Sequence, residues 1–171
     1  MGKKMDEEQR KKWIAAVLVA VFVVLINFAP KMVYFNKTRS LPLGLYVVIP
    51  GKNYRHGDIV VYRITEDVRQ MMVERGYGSG DETFLKHIGG LPGDRYCVFD
   101  EVILVNGEKR GDIQRYDRQG NPMPVMDGVH FVEAGHFLPL GEKTNSLDGR
   151  YTGTVPMENI VTRVVPFITE W

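Results

Sequence analysis

FLKHIGGLPGD, residues 84–94, predicts a β-strand that runs directly into a tight turn. The first half is apolar, and the second half supplies the glycine and proline residues that end strands. Lys86 lies inside the apolar half. If its ammonium group is buried there, the loss of hydration lowers the pKa from about 10.4 towards neutrality. Since a lysine in a strand more often faces solvent, the segment alone leaves both placements open.

Similar short apolar segments recur on both sides of this one, separated by Gly, Pro, Asn and Asp residues. They predict strands at 45–50, 58–63, 84–89, 96–99, 102–105, 129–132, 137–140 and 160–165. Residues 66–76 have apolar side chains near helical spacing and predict a helix, whereas the polar segment 114–128 predicts a surface loop. The pattern favours a mainly β domain with a barrel-like or folded sheet.

Composition excludes several kinds of site. The chain of 171 residues has a formal net charge of +1, which gives no general reason to expect a nucleic-acid partner. Cys97 is the only cysteine, so an intramolecular disulfide cannot form. The 4 histidines are scattered without metal-ligand spacing, and we expect neither a metal nor a cofactor.

The N-terminal part contains an apolar segment, WIAAVLVAVFVVLINFA, at residues 13–29, in which Asn27 is the only polar residue. Its length is at the short end for a transmembrane helix. Lysine and arginine residues are more frequent before the segment than after it, which favours a cytoplasmic N-terminus. We therefore predict a cytoplasmic segment at 1–12, a transmembrane anchor at 13–30 and a domain at 31–171 on the periplasmic side of a bacterial inner membrane.

Two other interpretations of this segment are less favoured. A cleaved signal peptide would need small residues at the first and third positions before the cut. For a cut after Ala29, the third position is Asn27 and Pro30 follows directly, which makes a poor cleavage site. A buried core helix would be apolar on one stripe rather than on every face. Residues 32–35 are also apolar and could extend the helix past Pro30.

Ser40 follows the apolar segment in the sequence TRSLPLGLY. A serine hydroxyl becomes a nucleophile when a neighbouring base takes its proton, and a neutral lysine amine such as that of Lys86 can replace the usual histidine. The oxyanion that forms then needs hydrogen-bond donors. The backbone N–H of Ser40 and the hydroxyl of Thr38 are candidates.

A third polar cluster occurs late in the chain, where Ser146, Asp148 and Arg150 alternate. In an extended segment these side chains would share one face. We expect Asp148 and Arg150 to pair and Ser146 to orient the lysine amine. Each signal is weak alone, because most turn serines and Asp-x-Arg pairs have no catalytic role.

Together these segments resemble the type I signal peptidase family of membrane-bound serine proteases with a Ser-Lys dyad. The resemblance is carried by SLPLGLY at 40–46, KHIGGLPGD at 86–94 and NSLDGRYTG at 145–153. The first motif is most similar to the conjugative-transfer (TraF-like) branch, which matures pilin subunits. The chain departs from the usual family pattern at His87, where arginine is common, and at Gly149, where serine is common.

The resemblance implies a mostly antiparallel β catalytic domain, of minimal size between Gly93 and Gly141, and a role for each candidate residue. Ser40 is the implied nucleophile and Lys86 the general base. The implied supporting residues are Thr38 for the oxyanion, Ser146 for the lysine, and Asp148 and Arg150 as a brace. The implied partners are a membrane-tethered prepilin or preprotein, the lipid bilayer and type IV secretion components.

Other functions stay open at this point. General presecretory processing would use the same dyad, and so would cyclisation of a cleaved pilin. A non-catalytic membrane-anchored scaffold would not need Ser40. A self-cleaving regulator of the repressor type would share the chemistry, but such regulators lack the apolar segment at 13–29.

Overall fold

A computed structural model of the chain describes residues 6–170, with the side chains of 24–31 outside the description. The helices are α1 (Glu7–Met32), α2 (Glu66–Glu74) and α3 (Gly149–Thr152). The strands are β1 (Val33–Asn36), β2 (Gly44–Ile49), β3 (Ile59–Arg63), β4 (Thr83–Gly90), β5 (Arg95–Phe99), β6 (Val102–Val105), β7 (Glu108–Asp112), β8 (Gly128–Phe131), β9 (His136–Leu140), β10 (Val155–Pro156) and β11 (Ile160–Thr169).

The strands form two antiparallel sheets, which confirms the prediction of a mainly β fold. A 7-stranded sheet has the order β1-β2-β11-β3-β4-β9-β10, and a 4-stranded sheet has the order β7-β6-β5-β8. The part of the chain between Gly93 and Gly141 therefore contributes a small sheet of its own. β4, which carries Lys86, lies inside the larger sheet between β3 and β9.

Each predicted strand overlaps an observed strand, and α2 confirms the predicted helix. Sequence analysis missed β1, β7 and β10. The suggestion that residues 32–35 extend the N-terminal helix is wrong beyond Met32, because Val33–Asn36 pairs with β2 as a strand. β7 was hidden because its sequence, EKRGD, is polar and mostly exposed at the sheet edge.

Strand alternation places Lys86 on an apolar face. Val60 pairs with Lys86 and Tyr62 with Phe84 across β3 and β4, so these side chains share one side of the sheet. A buried cluster on this side contains Val60, Tyr62, Ile88, Phe137 and Val155. Leu85 lies on the opposite side, in a second cluster with Leu41 and Tyr46. The core thus surrounds β4 from both faces.

Asp6 is the N-cap of α1, and its carboxylate accepts a hydrogen bond from Gln9 N at 2.7 Å. Within the described part of the chain, no helix combines the length and the hydropathy needed to cross a membrane. The anchor predicted at 13–30 includes residues 24–30, whose side chains lie outside the description, so it stays a prediction.

Candidate active site

Ser40 lies in the loop at 37–43, which joins β1 to β2. The loop is fixed on one side by Leu41, which is 1% exposed and packs into the core beside Tyr46. It is fixed on the other side by Glu142, whose N–H donates to Ser40 O at 3.0 Å. The partly exposed hydroxyl of Ser40 lies 3.5 Å from Thr38 Oγ1. A rigid loop therefore presents a hydroxyl group at the protein surface.

Of the two placements that its segment left open, Lys86 has the buried one, with only 3% of its surface exposed. Its Nζ donates to Ser146 Oγ at 2.7 Å and lies 5.3 Å from the centre of the Phe84 ring. Burial lowers the pKa of Lys86 from 10.5 to about 8, with Asp148 acting to raise it and Arg150 to lower it. At pH 7 roughly one molecule in ten then carries a neutral amine, fewer than the sequence analysis expected.

Ser40, Lys86 and Ser146 line one cavity of about 590 Å³. The predicted contact between Lys86 and Ser146 is present. Among the described residues, however, no hydrogen bond joins Lys86 Nζ to Ser40 Oγ. Hydrogen bonds between catalytic groups are often long in substrate-free proteins and shorten when the substrate binds.

Asp148 and Arg150 form a buried ion pair behind Lys86, with 0% and 1% of the side chains exposed. Arg150 Nε and Nη2 donate to the two carboxylate oxygens of Asp148 at 2.9 and 2.7 Å. The assumed extended conformation is wrong, since Gly149–Thr152 is a short helix and Asp148 is its N-cap. The pair forms because the long arginine side chain reaches back to the cap.

The pair also organises the backbone around Ser146. Asp148 Oδ2 accepts a hydrogen bond from Gly141 N at 2.7 Å, and Arg150 Nη2 donates to Lys143 O at 2.8 Å. A Cβ atom at Gly141 would overlap Ser146 Oγ, so only glycine allows this approach. The segment 141–150 is thereby folded into a compact loop that holds Ser146 against the lysine.

A wall of the cavity is formed by α2 and the loop at 114–123. Met72 of α2 and Tyr77, just after its end, line it from one side, and Tyr116 lines it from the loop. The segments are joined by hydrogen bonds from Tyr77 Oη to Asp117 Oδ2 at 2.6 Å and from Arg75 Nη1 to Pro122 O at 2.9 Å. The hydrogen bond from Tyr77 is the main reason why the pKa of Asp117 lies well below its usual range.

His87 connects the lysine strand to the Ser40 loop. Its Nδ1 lies 2.9 Å from Gly57 O and its Nε2 lies 3.1 Å from Glu142 Oε1. Because the N–H of Glu142 binds Ser40 O, a side chain next to Lys86 is linked through one residue to Ser40. At position 87, where arginine is common in the family, the histidine of this chain therefore contacts a carboxylate.

The sequence matches the family described as signal peptidase, peptidase S26, over residues 8–169. The chain belongs to the signal peptidase family. Members of the signal peptidase I type are serine proteases for which a Ser-Lys dyad is characteristic. The motifs that first suggested this resemblance meet at one cavity, although they are separate in the sequence.

The chain is also similar to individual known proteins. The chain is 35% identical over 114 residues to signal peptidase I of Leptolyngbya laminosa, covering 65% of this chain and 51% of that protein. It thus spans about half the length of this relative. It is 26% identical over 144 residues to the plasmid transfer protein TraF of Escherichia coli, covering 78% of this chain and 81% of that protein. A crystal structure of a signal peptidase I from Enterococcus faecalis superposes with a TM-score of 0.42 at 17% identity, covering 66% of this chain and 97% of that one.

Sequence analysis missed Asn36 and Glu142, which both hold the Ser40 loop. Asn36 is 2% exposed and directs its amide into the loop. Its signal in the sequence was an asparagine at the start of a loop, a position where the side chain often hydrogen-bonds the following backbone. Glu142 acts on Ser40 through its backbone N–H, which no side-chain pattern reveals.

Peptide cleavage by this signal peptidase is expected to become faster as pH rises. If neutral Lys86 is the base, kcat/KM follows the neutral fraction and rises with a midpoint near the Lys86 pKa of about 8. It should increase about tenfold from pH 6 to 7 and level off above about pH 9. Kinetics over this range at constant ionic strength measure the midpoint. A rate that keeps rising beyond about pH 10 would contradict the effect of burial.

Proposed function

We propose that the chain is a membrane-anchored serine endopeptidase that removes a signal or leader peptide from a translocated protein, with Ser40 as nucleophile and Lys86 as base. The main support is the position of Lys86, which is 3% exposed, has a lowered pKa and shares a cavity with Ser40. A buried lysine without an acidic contact is costly, which favours a chemical role.

In the proposed reaction, Ser40 Oγ attacks the carbonyl carbon of the scissile peptide while its proton passes to Lys86 Nζ. The tetrahedral intermediate collapses to an acyl-enzyme, and Lys86 gives the proton to the departing amine. Water then attacks the ester and loses a proton to Lys86. Lys86 returns this proton to Ser40 Oγ as the ester bond breaks, which releases the new carboxyl end and restores the free enzyme. Ser146 keeps the amine in place throughout, since its hydroxyl can accept an N–H of either form.

The backbone N–H of Ser40 is the better supported oxyanion donor. Within residues 6–170, no group accepts a hydrogen bond from it. The hydroxyl of Thr38 already donates to Asn36 Oδ1 at 3.0 Å and lies 3.5 Å from Ser40 Oγ. Thr38 could serve the oxyanion only after its proton turns away from Asn36.

The apolar segment at 13–29 supports a membrane anchor, with residues 31–171 on the periplasmic side. An anchored protease meets a membrane-tethered substrate at a high effective concentration without additional contacts. The similarity to a plasmid transfer protein favours a conjugative pilin subunit as the substrate. The similarity to signal peptidase I keeps general presecretory proteins as the alternative.

The proposal is tested by co-expressing the chain with a candidate prepilin or with a presecretory protein. We expect mass spectrometry to show cleavage of the prepilin by the wild type and none by Ser40→Ala. Preferential cleavage of the presecretory protein would support the alternative. Equal behaviour of wild type and Ser40→Ala on both substrates would favour the non-catalytic scaffold.

The same experiment separates hydrolysis from cyclisation. If the N-terminal amine of the substrate attacks the acyl-enzyme instead of water, the product lacks one water relative to the linear cleaved chain. The mass of the mature subunit therefore decides which nucleophile completes the reaction.

A further inference from the structure

We propose that Asn36 is a positioning residue that orders the nucleophile loop and sets the direction of Ser40 Oγ. This inference rests on the proposed function, in which Ser40 attacks the substrate. Asn36 is the last residue of β1 and pairs with Gly44, the first residue of β2. Its side chain therefore lies at the base of the loop at 37–43.

The side-chain amide of Asn36 binds the loop on both sides of Ser40. Before Ser40, Oδ1 accepts from Thr38 N at 3.1 Å and from Thr38 Oγ1 at 3.0 Å. After Ser40, Nδ2 donates to Leu41 O at 3.2 Å and to Pro42 O at 3.0 Å. One planar group thus fixes the distance between the two flanks of the nucleophile.

These contacts replace the backbone hydrogen bonds that the strands can no longer provide inside the loop. Asn36 is 2% exposed, so water cannot substitute for its amide. Among the described residues, no buried side-chain nitrogen or oxygen atom lacks a partner. Removal of the amide would leave Thr38 O and Leu41 O without the donor that now lies at 2.9 and 3.2 Å, whereas Pro42 O would keep its bond from Tyr46 Oη.

The other anchors of the loop cannot replace this function. Leu41 fixes one point by packing, and Glu142 N–H holds only Ser40 O. Tyr46 Oη donates to Pro42 O at 2.7 Å and acts only after Ser40. The direction of Ser40 Oγ depends on both flanks, and among the described residues only the Asn36 side chain forms hydrogen bonds to both of them. A displacement of about 1 Å in a reacting group can cost about 100-fold in rate.

The test uses full-length Asn36→Ala in peptide cleavage. We expect kcat to fall about 100-fold while KM stays within about threefold and the pH midpoint does not move. The midpoint is unchanged because Asn36 does not contact Lys86 or Ser146. Tyr46→Phe removes one bond on one flank, so its loss of kcat should be clearly smaller. Backbone amides at 37–44 should exchange hydrogen faster in Asn36→Ala, whereas those of β4 should not.

Two controls separate positioning from a loss of stability. Asn53→Ala makes the same change at an exposed site. Val98→Ala removes buried methyl groups in the other sheet and lowers Tm without touching the loop. A kcat for Asn36→Ala within about threefold of that of Val98→Ala would overturn the proposal, since this is far below the expected positioning loss.

Failure of the proposed function would be visible in the wild type itself, as cleavage that does not differ from Ser40→Ala. Failure of the role of Asn36 would be visible only in the variant, with an active wild type. If the wild type is inactive, hydrogen exchange of the loop amides still tests whether Asn36 orders the loop. Unchanged exchange at 37–44 in Asn36→Ala would then overturn the ordering role.

Discussion

Lys86→Met is expected to reduce kcat/KM by about 10⁴-fold or more, because the proposed base is lost while the shape of the site is retained. Methionine has a similar length and suits the apolar face formed by Phe84 and Ile88. Without an amine, Ser40 must lose its proton to water. Steady-state cleavage of a peptide substrate measures the loss. Ser40→Ala should cause a loss of similar size, and the double variant should be no worse than either single variant.

The loss should not come from unfolding. Because the folded pKa of Lys86 is about 8 and its ordinary value is 10.5, the unfolded chain binds more protons between these values. Lys86 therefore lowers wild-type stability below about pH 8, and this penalty is relieved as pH rises towards 10.5. Lys86→Met should remove this part of the pH dependence of Tm without lowering Tm at pH 7.

Lys109→Met is the matched control, since Lys109 is 58% exposed and pairs with Asp112 at the surface. It should change cleavage by less than about twofold, because an exposed ion pair contributes little. If Lys86→Met kept kcat/KM within about tenfold of the wild type, Lys86 could not be the general base.

Arg150→Met is expected to destabilise the fold by about 3–5 kcal/mol, because it leaves the Asp148 carboxylate buried without its partner. The change also removes the bonds from Arg150 Nη1 to Asp112 O at 2.7 Å and from Nη2 to Lys143 O at 2.8 Å. Chemical denaturation at constant pH measures the free energy of unfolding.

Arg115→Met is the control for this change. Arg115 holds Asp127 through two bonds of 2.9 and 2.8 Å, but the side chains are 40% and 56% exposed. The same chemical change there should cost less than about 1 kcal/mol. Equal losses at the two sites would show that burial of the Asp148–Arg150 pair is unimportant.

Arg150→Met should also raise the pKa of Lys86, because Arg150 acts to lower it and Asp148 acts to raise it. The pH midpoint of cleavage should therefore move upward in this variant. A midpoint that moves downward would mean that the buried pair does not set the charge state of the lysine.

Local patterns were sufficient to locate most elements. Segments such as 58–63 and 137–140 are apolar, short and bounded by turns, so they predicted β3 and β9 without tertiary information. Local patterns did not predict β7, a polar strand that depends on its pairing with β6. They also did not predict the strand at Val33–Asn36, where pairing with β2 ends the helix. In both cases hydrogen bonds to a neighbouring strand outweigh local preference.

The sequence by itself indicated the family, most of the strands, and Ser40 and Lys86 as the candidate dyad, because these depend on residue types at fixed positions in short motifs. The tertiary structure alone decided that Lys86 is buried, that it contacts Ser146 and that Asn36 and Glu142 hold Ser40. Burial and pKa arise from groups far apart in the chain, including Asp148 and Arg150, whose distances no local pattern specifies. The sequence shows that Lys86 lies in an apolar strand, but only the fold shows that it is buried and that its pKa is lowered.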